Sequence, residues 1–231
     1  CIFITYFIII SFLLNKYYKI EYFNNTKYKN LVLTTCNNNQ NYYKWIKYII
    51  PFWHYLKFDI IIYFYDHKLP HCLKKYSKFI KVVSPPEGLN ISSVCQISRL
   101  FLPILHKNYD KVLITDVDLI PISKEYYNKI NFIKNSKFIC MRKKEDSFYM
   151  GFNAANYKLW AKLTNLNTNI NLKQINNHLI KIFNQNKLNN SYPLKVSWGL
   201  DQELLKKYCS NLNKDSLVVW TNINKYIIID S

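Results

Sequence analysis

Glycine and arginine are scarce in this sequence. Of 231 residues only Gly88, Gly151 and Gly199 are glycine, and only Arg99 and Arg142 are arginine. The six cysteines form no C-x-x-C pair, which argues against a structural zinc site. Acidic residues number 14 against 32 Lys plus Arg, and nine of the acids are aspartate. No apolar run reaches the roughly 20 residues that a bilayer-spanning helix needs.

The chain does have an ample apolar complement. Nearly half of it (49%) is hydrophobic and 17% is aromatic, enough to bury a sizeable core and unlike a disordered composition. The formal charge of +18 rests almost wholly on lysine, in a chain also rich in Asn, Ile and Tyr. Such a composition reads first as a lysine-coated surface. The functional alternative is a field that draws in anions, nucleotide diphosphates and acidic membranes among them. No basic run is interleaved with aromatics as in a nucleic-acid module, so nucleic acid is not an expected partner.

Residues 1–14 are apolar and uncharged, and Lys16, Tyr17, Tyr18 and Lys19 follow as an interfacial belt would. Residues 1–18 are therefore expected to be the end of a signal-anchor, with 19–30 as a linker. This predicts a membrane-associated protein of the Golgi or endoplasmic-reticulum type II kind, with a cytoplasmic location as the alternative. From residue 31 the pattern alternates between strand and helix. Strands are expected at 31–35, 59–65, 78–83 and 111–115, and helices at 42–56, with Pro51 as a kink, and at 91–106. The strand at 59–65 is apolar on both faces, as parallel strands covered by helices are. In the second half, strands are expected at 137–141 and 217–220. A strand or loop leading into a helix is expected at 152–163, a helix or insertion at 171–186, and a helix at 199–209. The order predicts an α/β domain over 31–231 with a mostly parallel central sheet flanked by helices, as in Rossmann-like folds. Residues 31–123 are expected to form one half and 124–231 a second, mixed lobe.

The chemistry gathers where apolar runs end. Residues 111–115 (KVLIT) lead directly into Asp116-Val117-Asp118. Ligands of open α/β sheets bind at the carboxyl ends of strands. Two carboxylates at i and i+2 there repel each other unless a cation neutralises them, and hard oxygen donors suit Mn²⁺ or Mg²⁺ bridging to phosphate. Arg99 offers a planar fork that lysine cannot reproduce; its bland reading is a surface residue paired with Asp110 or Glu87. In so Gly-poor a chain, Gly151 and Gly199 point to a positive φ or a close approach. Asn153, Asp201 and Gln202 beside them are polar groups in apolar surroundings, as in the floor of a sugar-binding site.

The stretch SRLFLPILHKNYDKVLITDVDLIP resembles the donor-site segment of GT-A glycosyltransferases. It is most similar to the retaining family of glycogenin and lipopolysaccharide galactosyltransferases (family 8). The matching motifs run in the same order: Ser98-Arg99-Leu100, Asp116-Val117-Asp118, Phe152-Asn153-Ala154 and Asp201-Gln202. The resemblance implies a hexosyltransferase moving sugar from a nucleotide-diphosphate donor to a glycan, glycoprotein or glycolipid acceptor with retention. It implies that Thr34, Thr35 and Cys36 line the nucleotide, that Asp66 and Val117 contact the donor, and that Arg99 binds donor phosphate or sugar. Asp116 and Asp118 would hold Mn²⁺ or Mg²⁺. Asn153 and Asp201 would hold the donor sugar, and Gln202 would lie on its β face. Two departures stand out. No histidine follows Gln202 in this sequence, where the family has a third metal ligand, leaving water, Asp230 or residues outside this sequence to complete the site. Ala155 replaces the family's glycine. Two other readings are a catalytically degenerate domain acting as a membrane-tethered binding module and a sugar-phosphate nucleotidyltransferase. Against the second, the loop after the first strand reads TTCNNNQ and lacks a Gly-rich basic turn.

Overall fold

Three apolar runs set the architecture. Asn30–Asn37 (β1), Asp59–Tyr65 (β2) and Lys111–Ile114 are buried along almost their whole length and pair in parallel. A computed structural model describes residues 28–144, 147–186, 199–210 and 212–219. The expected anchor at 1–18 and most of the linker lie outside these residues, as does Asp230. Among the described residues no helix is long and apolar enough to cross a membrane.

After β1 come two short helices, Gln40–Tyr43 (α1) and Ile46–Tyr55 (α2), in place of the single helix expected over 42–56. Pro51 lies inside α2. A run of 3-10 turns over His71–Phe79 delays the third strand, Ile80–Val83 (β3), which pairs in parallel with β2. The helix expected over 91–106 is Ile91–Ser98 (α3), followed by a 3-10 turn at Leu102–Leu105. Pro103 suits the break: it lacks the N–H that a continuous α-helix would donate to the Arg99 carbonyl, and it sits instead in the first turn of the 3-10 segment. Lys111–Ile114 (β4) then returns to the other side of β1.

The second half extends the same sheet. Lys124–Asn128 (α4) precedes Phe138–Cys140 (β5), and Lys143–Lys144 (β6) pairs with Ser147–Phe148 (β7) as a separate ribbon. Asn153–Ala155 (β8) inserts antiparallel between β4 and β5. Tyr157–Thr164 (α5), Leu172–Gln185 (α6) and Leu200–Ser210 (α7) follow, and Leu217–Val219 (β9) pairs in parallel with β5. Asn171 and Gln174 form a capping box that starts α6.

The resulting seven-stranded sheet has the order β3-β2-β1-β4-β8-β5-β9. Four of its six pairings are parallel, and the antiparallel ones both involve β8. Helices cover both faces, in the α/β architecture expected. Successive residues of β1 alternate between two cores. Leu31 and Leu33 face the core built with α3, α5, α6 and α7, and Val32 faces the one built with α2 and α4. Trp160 of α5 donates its indole N–H to the Val112 carbonyl at 3.1 Å, fixing that helix onto β4.

Candidate active site

From β1 the chain moves outward to β2 and β3, then crosses back to β4 on the opposite side of β1. The carboxyl ends of β1 and β4 therefore flank a topological switch point, the place where open α/β sheets bind ligands. A cavity of about 590 Å³ opens there.

One wall comes from β1, α3 and β4. The Thr115 N–H donates to the Leu33 carbonyl at 3.0 Å, carrying the parallel pairing one residue past β4. The chain then turns, with the Leu119 N–H reaching the Asp116 carbonyl at 3.3 Å. Val117, Leu119 and Ile120 pack inward, while Asp116 and Asp118 remain half-buried and line the cavity. Burial of the apolar residues thus aims the two carboxylates outward. Asn90 caps α3 by accepting the Ser93 N–H at 3.1 Å, and the Thr35 hydroxyl donates to the Cys95 carbonyl at 2.6 Å, seating α3 against the end of β1. Cys36 also lines the cavity. Burial, with a small contribution from Asp118, pushes its thiol up to about 12 against the opposing hydrogen bond to Asn37, so it is neutral at physiological pH.

Arg99, at the end of α3, ties this wall to the other. Its Nε donates to the Gln96 carbonyl at 3.1 Å and one terminal nitrogen to the Thr115 carbonyl at 3.4 Å. The same nitrogen pairs with Asp116 Oδ1, and the other donates to Asp201 Oδ2 at 2.8 Å. Burial alone would lower the guanidinium pKa, but Asp116 and Asp201 outweigh it and raise it. Neither Asp110 nor Glu87, the partners of the bland reading, takes part in these bonds.

The second wall is assembled from short pieces. Asp201 stands in the first turn of α7, where the helix dipole favours a carboxylate, and its Oδ1 accepts the Gln202 N–H at 2.8 Å. Gln202 and Gly199 also line the cavity, and Gly199 has φ +98°, the left-handed backbone its retention points to. Gly151 is needed for a different reason. A Cβ there would stand 2.8 Å from Asp116 Oδ2 and 3.4 Å from the Asp116 amide nitrogen. The close approach is that of a carboxylate of the chain itself.

The structure thus brings Thr35, Cys36, Arg99, Asp116, Val117, Asp118, Asp201 and Gln202 to one cavity. Three expected residues are not on its wall. Thr34 is fully buried within β1. Asp66 follows β2, one strand farther out, and accepts the His67 N–H at 2.6 Å. Asn153 is fully buried in β8, where its amide donates to the carbonyls of Tyr149, at 2.6 Å, and Met150, at 3.3 Å. It shapes the segment that carries Gly151 without facing the cavity. Sequence reasoning gave no role to Arg142, Tyr149, Asn37 or Gln96, all of which line the cavity. For Arg142 a signal existed, because it is one of just two arginines among 32 basic residues.

No protein-family model matches the sequence, and no curated protein matches it significantly. Solved structures of two glycosyltransferases are similar to it. One is GlyE of Streptococcus pneumoniae TIGR4, at 15% identity and a TM-score of 0.46, covering 84% of this chain and 45% of that one. The other is the galactosyltransferase LgtC in complex with donor and acceptor sugar analogues, at 15% identity and a TM-score of 0.41, covering 82% of this chain and 72% of that one. The chain spans less than half the length of the first. At these scores the likeness carries no functional weight.

Proposed function

We propose that the protein is a metal-dependent GT-A glycosyltransferase that moves a hexose from a nucleotide-diphosphate sugar to a glycan, glycoprotein or glycolipid acceptor. One observation carries the reading: two carboxylates, Asp116 and Asp118, stand at the switch point of an α/β sheet, on a cavity that also holds the Arg99–Asp201 pair and Gln202.

The donor set fits a hard divalent cation. Gly151 leaves room for Asp116 Oδ2, whose Oδ1 is held by Arg99, and Asp118 lines the same cavity. Among the described residues no third His, Cys, Asp or Glu completes a cluster. Mn²⁺ and Mg²⁺ readily keep water and phosphate oxygens in their remaining positions. Bound there, either ion would supply neutralisation of the charge that develops on the leaving diphosphate.

The chain's own groups divide the remaining work. Thr35 and Cys36 offer a neutral surface to the nucleoside. Arg99 fixes the Asp201 carboxylate, which can accept hydrogen bonds from sugar hydroxyls. Gln202 presents an amide that can neither act as a carboxylate nucleophile nor take a proton. This supports retention by a front-face route, in which the departing phosphate oxygen accepts the acceptor's proton. The uncharged stretch 1–14 supports a membrane tether.

A panel of nucleotide sugars with Mn²⁺ tests the reading. Transfer or hydrolysis of at least one donor is expected, lost on chelation and in Asp118→Asn. Equal activity in that variant removes the metal role, and an inverted anomeric product by NMR removes retention. The pairing of Asp116 with Arg99 favours one competing reading, a degenerate domain that binds sugar nucleotides without turning them over. Binding without turnover across the panel would select it.

A further inference from the structure

The chain places lysine almost everywhere a cation is tolerated, yet among the described residues no lysine lines the cavity and both arginines do. Arg99 is engaged by Asp116 and Asp201 and serves to hold carboxylates in place. Arg142 stands on the second wall. It stands two residues after β5, and the backbone around it is pinned on either side. The Met141 N–H donates to the Phe152 carbonyl at 2.8 Å, and the Tyr149 N–H donates to the Arg142 carbonyl at 3.4 Å. The guanidinium carbon lies 4.4 Å from the Tyr149 ring centroid and 5.5 Å from that of Phe152. A guanidinium packed on aromatic rings keeps a fixed orientation and can offer its edge to a planar or tetrahedral oxyanion, which a lysine ammonium cannot match in geometry.

We infer that Arg142 binds an oxyanion of the substrate, a phosphate or a carboxylate, on the second wall of the cavity. The inference rests on the cavity being the substrate site proposed above. It deepens that reading by making an anionic substrate group part of recognition. The same chemistry could come from the donor's diphosphate or from an anionic group on the acceptor.

Calorimetry with inorganic pyrophosphate, with and without Mn²⁺, addresses the donor source. A hexose 6-phosphate against the free hexose, on protein saturated with pyrophosphate, addresses the acceptor source. Wild type should bind pyrophosphate. Arg142→Met should weaken either pyrophosphate or the hexose phosphate by roughly tenfold to a hundredfold, the loss of a charged hydrogen-bonding fork. Arg142→Lys, which keeps the charge and the stem, should recover only part of it. Free-hexose affinity and melting temperature should stay near wild type, which a purely structural role for the side chain would not predict. Unchanged affinity for both anions in Arg142→Met overturns the inference, as does a wild type that binds neither. Because the readout is binding, failure of the hexosyl-transfer reading shows separately, as the absence of turnover across the donor panel.

Discussion

The two walls of the cavity are built in opposite ways. The first comes from strands and a helix that pair or pack with close neighbours: β1 and β4 lie side by side, and α3 is bonded to β1 through Thr35. Its carboxylates are aimed by burial of Val117, Leu119 and Ile120 around them. The second wall collects Arg142, Tyr149, Met150, Asp201 and Gln202 from the segments flanking a short ribbon, a 3-10 turn and the first turn of α7. The 3-10 turn leads directly into β8, which pairs with β4 of the first wall. The first turn of α7 is tied across by a buried arginine that reaches a carboxylate 102 residues away in sequence. The first wall is thus held by sheet pairing, and the second by sheet pairing at one end and electrostatics at the other.

The sharpest way to break that contrast is Arg99→Leu. The side chains of Arg99 and Asp201 are 9% and 6% exposed, so the substitution leaves a buried carboxylate without its cation. Breaking a buried pair from one side costs about 3–5 kcal/mol, and half-exposed Asp116 adds little to this. Urea unfolding followed by circular dichroism should show the loss. A change within about 0.5 kcal/mol would mean that the walls are joined by something else. Next in size is Asp118→Asn, which acts on the first wall alone. Transfer from the donor found in the panel should fall by roughly a hundredfold to a thousandfold, the range seen when a charge-stabilising group is removed. Its urea midpoint should move far less than that of Arg99→Leu.

The same contrast explains what was legible in the sequence. β1, β2 and β4 announce themselves as continuous apolar runs, and the aspartates at the end of β4 mark the switch point. These features depend on neighbours in sequence. Thr34 shows the limit on that wall: one residue back from the strand end, it is sealed in the sheet, and only three-dimensional register reveals this. On the second wall, Asp201 and Gln202 were legible as polar residues beside a rare glycine, but Arg99 as the partner of Asp201 was not. Asn153 was expected to face the sugar because it is polar among apolar residues. Its amide instead satisfies the carbonyls of the turn that carries Gly151. Arg142 was hidden by charge counting, which treats it as one more cation on a lysine-coated surface.

Gly151→Ala sharpens the comparison at another point where the walls touch. The added methyl would meet Asp116 Oδ2 at 2.8 Å, and the nearby Asp116 backbone nitrogen limits how far the strand end can yield. Overpacking of this kind costs about 1–3 kcal/mol. Displacing Asp116 should also weaken Mn²⁺ binding, so a metal titration should shift together with the unfolding midpoint. Gly88→Ala is the control: it has positive φ but nothing within 4 Å, so it should lose some stability to strain and leave metal binding alone.

The smallest expected effect concerns pH, and it too divides the molecule. Burial, reinforced by Lys78, lowers the pKa of His54 to about 4, and burial, reinforced by Lys81, lowers that of His106 to about 3. Both belong to the first half, where His106 shares a 3.0 Å hydrogen bond with the Tyr63 hydroxyl. Above the unfolded value of 6.5 the rings are neutral in both states and their burial is unopposed. As pH falls below 6.5 the unfolded chain takes up protons first, and stability drains away until the folded values are reached. Between pH 7 and 6, where carboxylates do not yet titrate, the two rings together should remove roughly 1 kcal/mol. Urea midpoints across that interval measure the slope. His106→Gln should remove about half of it, whatever it does to stability at pH 7. A slope unchanged by that substitution, or absent from the wild type, would mean that His106 is not held neutral in the folded protein.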